Sequence, residues 1–231
     1  MSIKPLALSM LLTSVPLAAQ EVTVEITNLT QGIYFTPLLV SAHTAEASLF
    51  EVGTDASPEI AAMAEGGDIS GLVTVVDSIG AVSSANPAGG LLAPAMSTTA
   101  ALSEVPMGSV LSVAAMVLPS NDGFVGLDNW AIPTEPGTYT VYLNAYDAGT
   151  EANNELVIEG SGAPGVPGIP ANPGGNGGTS GTGVTDMEPN TLIHIHRGTL
   201  GDDNPSGGAS DLDSRLHRWL NPVARAVITV Q

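Results

Sequence analysis

The chain has 231 residues, 43% of them hydrophobic but only 4% aromatic, with 27 glycines and 17 prolines. Five Lys and Arg against 23 Asp and Glu leave a formal charge of −18, which repels nucleic acid and anionic lipid and attracts cations. There is no cysteine, which excludes disulfides, thiolate metal centres and a cysteine nucleophile.

The length suits a single domain of about 200 residues after processing. Its core must come from Val, Leu, Ile, Ala and Met, and the wealth of Gly and Pro favours an all-β protein over a helical one. Residues 1–19 read as a secretory signal peptide. Lys4 is the positive start, residues 5–16 are the apolar stretch, and Leu17-Ala18-Ala19 is the cleavage site. The apolar stretch is too short to span a membrane, and no second candidate follows it. The expected product is one domain over residues 20–231, exported to the periplasm or the medium.

Residues 21–28 alternate strictly. Val22, Val24 and Ile26 share one face, and Thr23, Glu25 and Thr27 the other, as in a half-buried strand. Asn28-Leu29-Thr30 fits an N-glycosylation pattern but reads as a turn. Residues 35–40 and 49–52 are short apolar pieces on either side of His43. Ser57-Pro58-Glu59 opens a helix over residues 58–65, with Ser as N-cap, Pro in the first position and Gly66-Gly67 as the stop. Residues 70–79 fit a short helix or a strand, and residues 86–90 a turn.

Residues 97–105 and 109–118 read as successive strands. The second is nearly all apolar and should be a central strand covered on both sides. Residues 138–145 form another strand. Residues 160–183 carry no charge and are dominated by Gly and Pro, so they read as a flexible or extended loop within the one domain. Residues 191–197 read as a strand, 198–210 as an acidic loop, 211–220 as a short helix or turn, and 225–231 as the closing strand. About eight strands, one or two short helices and the long loop make an antiparallel β-sandwich.

Two acidic loops flank the strand at 138–145. Asp122 follows the long apolar strand, and Asp147 and Glu151 share the next loop. If the two strand ends are neighbours, three carboxylates converge, and a hard cation such as Ca²⁺ relieves their repulsion. The bland alternative is a set of acidic turns. His194 and His196, two apart on a strand, offer a second pattern: a Zn²⁺ or Cu²⁺ pair completed by His217 or Asp202, or simply polar residues packed by Arg197 or Trp219. No nucleophile elbow, phosphate-binding loop or zincin motif occurs. A secreted hydrolase or a His-coordinated metal enzyme is therefore the secondary reading, and no enzymatic activity the primary one.

Asn121-Asp122-Gly123-Phe124-Val125-Gly126-Leu127, followed by Tyr146-Asp147-Ala148-Gly149-Thr150-Glu151, resembles the spondin N-terminal domain. Supporting pieces run in the family's order: residues 24–30, 35–37, 49–53, 194–198 and 219–225. The resemblance implies a C2-like antiparallel β-sandwich with calcium held by loop carboxylates at one end. Carried over by position, those are Asp122, Asp147 and Glu151. Animal members commonly have Asp where Glu151 stands, an aromatic where Gly123 stands, and disulfides that this chain lacks. The resemblance further implies an extracellular protein or matrix partner.

Overall fold

The computed structural model describes residues 19–163, 165–175 and 177–231. The signal peptide expected over residues 1–19 lies outside them except for Ala19, which opens the first strand. Among the described residues no helix is long and apolar enough to cross a membrane.

Among the described residues ten strands and two helices follow one another in the order β1 (Ala19–Asn28), β2 (Tyr34–Phe35), β3 (Leu39–His43), α1 (Pro58–Gly66), α2 (Ser70–Ser78), β4 (Val82–Ala85), β5 (Ser97–Pro106), β6 (Val110–Leu118), β7 (Gly123–Ala131), β8 (Gly137–Asp147), β9 (His194–Ile195) and β10 (Ala224–Val230). Eight strands pair in the order β4-β3-β6-β7-β8-β10-β1-β5, with the short β2 on β6 and β9 on β8. Every strand pair in the sheet is antiparallel. β4 and β5, the two ends of the order, approach one another, so the sheet curls into a nearly closed sandwich. This is the all-β sandwich that the turn-rich, aliphatic sequence predicts.

The patterning explains the layers. The alternating Val22, Val24 and Ile26 of β1 face inward with Ala226, Ile228 and Val230 of β10, and their intervening residues face out. β6 is buried along its whole length, as a continuous apolar strand should be. Its Val113, Ala115 and Val117 enter the core between the two layers, while Ala114 and Met116 face a second apolar layer with Ile60, Met63, Leu72 and Val76 of the two helices.

α1 begins and ends where its capping residues place it. Ser57 Oγ accepts from the Ile60 N–H at 3.2 Å, and Gly67 takes the left-handed conformation at φ 74° that closes the helix. Residues 70–78, ambiguous in sequence, are helical. Asn28 is fully buried; its Nδ2 donates to Ile33 O and Leu92 O, and its Oδ1 accepts from Thr30 N and Oγ1. The glycosylation-like motif is thus an internal brace of the turn.

Two stretches differ from the sequence expectation, and a third settles an alternative. The strand expected over residues 191–197 is paired only at His194–Ile195. Residues 211–220, read as a short helix or turn, are turns. The Gly/Pro stretch is anchored at several of its described residues. Ile169 is fully buried in the helix-side core, Gly165 N donates to Glu65 Oε2, and Thr179 N and Gly181 N donate to Asp211 Oδ1. Neutral glycine-rich backbone has free N–H groups to satisfy, and distant carboxylates satisfy them. Composition reports the missing side chains but not these partners.

β10 lies between β8 and β1, so Ile228 bridges both halves of the sandwich, opposite Val24 on one side and Tyr139 on the other. Ile228→Ala should cost about 2–5 kcal/mol in chemical denaturation. Deleting residues 224–231 should abolish the cooperative thermal transition followed by circular dichroism.

Candidate metal site

The β7–β8 pairing brings the two acidic loops together. Gly123, the first residue of β7, stands opposite Asp147, the last of β8, and Ala148 N donates to the Asp122 carbonyl at 3.1 Å. Asp122, Asp147 and Glu151 are therefore neighbours at one end of the sheet, as their positions after consecutive strands predict. All three are buried, at 0%, 1% and 6% exposure.

Each carboxylate has one oxygen well provided for. Asp122 Oδ2 accepts from Thr150 N at 2.8 Å, Glu151 N at 3.0 Å and Thr150 Oγ1 at 3.2 Å. Glu151 Oε2 accepts from Gly168 N at 2.8 Å and Asn121 Nδ2 at 3.3 Å. Asp147 Oδ1 takes the Gly149 N–H at 2.8 Å, and its Oδ2 the Asn153 amide at 2.6 Å. Gly149 sits at φ 72°, and a Cβ there would lie 2.5 Å from the Thr191 carbonyl carbon, so only glycine fits this turn. In contrast, Asp122 Oδ1 and Glu151 Oε1 are buried without any hydrogen-bond partner.

The electrostatics follow from that burial. Asp122 is pushed well above the usual carboxylate range by loss of solvation and by the Asp147 charge, against the opposing Glu151 and Thr150 N–H groups. Asp147 is raised by burial too, although Asn153, Gly149 and His194 oppose the shift. Burial lifts Glu151 to about 7. Among the described residues no three His, Asp or Glu side chains form a compact ligand set by themselves. The site's other oxygen and nitrogen groups belong to Asn121, Thr150, Asn153 and the main chain.

The histidines have unlike surroundings. His194 is part-exposed, with Nδ1 at 2.8 Å from Leu192 O and Nε2 at 3.8 Å from Asp147 Oδ2. His196 is buried against Trp219 at 4.9 Å between ring centroids, and burial drives it down to about 3. Its Nδ1 accepts from Gly198 N. Neither proposed third ligand completes a set with them: Asp202 and His217 are joined to the 204–213 loop, through Asn204 N, Ala209 N and Ser210 N for Asp202 and through Asp213 N for His217. Trp219 packs His196, as the packing alternative has it, whereas His194 faces Asp147. An open cavity of about 400 Å³ lies beside Asp147 and is lined by Asn153, Glu188, His194, Arg197 and Met187.

Sequence reasoning missed Asn121, Asn153 and Gly168 as supports of the carboxylates. Asn121 directly precedes Asp122, and Asn153 lies two residues past Glu151, so proximity to the chosen acids was their only signal. Gly168 had none.

The chain matches the family model Spondin_N over residues 27–157, more than half of its length and including all three carboxylates. No curated protein matches the chain.

Raised carboxyl values mean that the native state keeps protons that the unfolded chain has released. The sign is fixed: this contribution is full below about pH 4 and is lost as the pH climbs through about 7, the value for Glu151. Melting temperatures in chelator should therefore fall from about pH 5 to pH 8, and Asp122→Asn should flatten the decline.

Proposed function

The chain belongs to the spondin N-terminal domain (Spondin_N) family, and from that membership we propose that it is an exported, non-enzymatic, calcium-binding module with an adhesive or matrix-binding role. The observation that carries the metal reading is the pair of orphaned, buried carboxylate oxygens, Asp122 Oδ1 and Glu151 Oε1. Buried acceptors without a donor are costly. Calcium takes oxygen ligands in flexible number and geometry, so a carboxylate-rich site with main-chain oxygens and water suits it.

In this reading Asp122, Asp147 and Glu151 hold the ion. Thr150 N, Glu151 N and Gly168 N fix the carboxylates from behind, and Asn153 orients Asp147. The bound ion supplies divalent charge that offsets the burial of three acids. The β6–β7 turn is then pinned to the β8 loop, and that end of the sandwich is stiffened. Glu151 reaches the site with one methylene more than the Asp usual in animal relatives, and its Oε1 is the atom left for the ion.

An extracellular-type family and a leader-like first segment both support export. An adhesive role is the family's association, and the loops around the site are the surface nearest to it. A hydrolase or His-coordinated metal enzyme is the competing reading. Stoichiometric zinc or copper in the purified protein, lost in His194→Ala, would favour that one instead.

Calcium at a hundredfold its dissociation constant should add about 2.7 kcal/mol, which for a domain of this size raises the melting temperature by roughly 5–10 °C over chelator. Asp147→Ala should remove the calcium-dependent part. A melting curve indifferent to calcium in the parent protein would sink the proposal. Matrix binding that is unchanged by chelator would separate the adhesive role from the metal.

A further inference from the structure

Away from the metal site, His43, Ser112 and Asp128 form a chain of polar contacts. His43 and Ser112 are buried at 3% and 0% exposure. His43 Nε2 lies 2.9 Å from Ser112 Oγ, and Ser112 Oγ lies 3.2 Å from Asp128 Oδ1. The arrangement is built by a β-bulge. The β6–β7 register slips between Leu111 and Val113, and Asn129 takes φ 51° there. This turns Asp128 back towards Ser112 and lets Asn129 N donate to Ser112 Oγ at 3.1 Å.

Counting hydrogens shows two states. His43 Nδ1 is 2.9 Å from Thr44 O, which only accepts, so Nδ1 carries a hydrogen. With a neutral ring, Nε2 is bare and takes the single Ser112 hydroxyl hydrogen. With a protonated ring, Nε2 donates to Ser112 Oγ, and the hydroxyl must turn to Asp128 Oδ1. The proton comes from solvent, and no bond other than hydrogen bonds changes.

Asp128 is also the clamp of a strap, residues 44–54. Its Oδ1 accepts from Leu49 N at 3.0 Å and its Oδ2 from Ser48 Oγ at 2.7 Å. Phe50 of the strap seats on Phe124 and Tyr146, with ring centroids 5.0 Å from each. Farther on, Gly53 N donates to Ile193 O, and Ile193 N to Thr54 O. β4 and β6, the strands flanking β3, bring no titratable side chain. α2 brings Asp77 and β5 brings Glu104, and the strap itself carries Glu46 and Glu51; none of them hydrogen-bonds to His43. Tyr146 is the titratable group that feels the Asp128 charge.

We propose that His43, Ser112 and Asp128 are a proton-operated latch on the 44–54 strap: protonating His43 reverses the Ser112 hydroxyl and sends its hydrogen to Asp128 Oδ1, the oxygen that also holds Leu49 N, so the clamp on the strap changes with the charge on His43. The test is a pH titration by NMR of the full mature chain, following the His43 ring and the Leu49 amide. The two should move with one midpoint. In Ser112→Ala the ring should still titrate, while the Leu49 response shrinks several-fold. In His43→Gln, which cannot titrate at this position, that response should vanish. A Leu49 amide that ignores the His43 midpoint in the parent protein overturns the latch, whether or not the variants fold. So does an undiminished Leu49 response in either variant.

Discussion

The pairing of Gly123 with Asp147 is the contact on which one whole end of this protein depends. It leaves the Asp122 and Asp147 side chains buried, at 0% and 1% exposure. A buried carboxylate needs donors, and the pair has few cations to call on in a chain with five Lys and Arg. Backbone N–H groups serve instead. The loop after β8 must wrap so that Thr150 N and Glu151 N reach Asp122, and the Gly/Pro stretch must return so that Gly168 N reaches Glu151. The paths of both loops follow from the desolvation of two strand ends.

The same device recurs through the irregular C-terminal third. Asp211 accepts from Val157 N, Thr179 N and Gly181 N, which hold it below the usual range against the opposing effect of burial. Glu155 accepts from Leu200 N, Gly201 N and Ser210 Oγ. Asp202 caps Asn204 N, Ala209 N and Ser210 N. The acidity of the sequence is thus not only a solvated surface. Several carboxylates stand in for the strand partners that glycine-rich loops lack. What distinguishes the Asp122–Glu151 cluster from these hubs is its unpaired oxygens, since the hub carboxylates have donors on both.

Periodicity exposed the parts of the fold that rest on local repetition. The alternation of β1, the continuous apolar run of β6 and the Ser-Pro/Gly-Gly punctuation of α1 all follow from side-chain geometry within one element. The three carboxylates were legible for a related reason: each follows a recognisable strand, and ends of consecutive antiparallel strands meet. β4 was invisible because Val82-Ser83-Ser84-Ala85 has no apolar face and pairs only because β3 lies beside it. Periodicity does not mark β7, because Asp128 and Asn129 interrupt its alternation; those residues form the bulge. The His43–Ser112–Asp128 chain links positions up to 85 apart, and the bond of Gly165 to Glu65 spans 100 residues. No window along the sequence holds such pairs.

These long spans bear on what counts as the folding unit. The family match ends at residue 157, yet the sheet does not. β10 fills the gap between β8 and β1, and β9 adds to the edge of β8 beside Asp147. Of the donors on the three carboxylates, Gly168 N comes from beyond residue 157, and His194 Nε2 from the same third stands 3.8 Å from Asp147 Oδ2. Contacts of such sequence separation are closed late, because loop entropy is spent before they give anything back. The β6–β7–β8 meander can assemble from nearby sequence and bring Asp122 to Asp147 early. Glu151 acquires its Gly168 support only when the last third docks. The acidic site therefore reports on completion of the whole sandwich, and anything that neutralises it stabilises the closed chain rather than the meander alone.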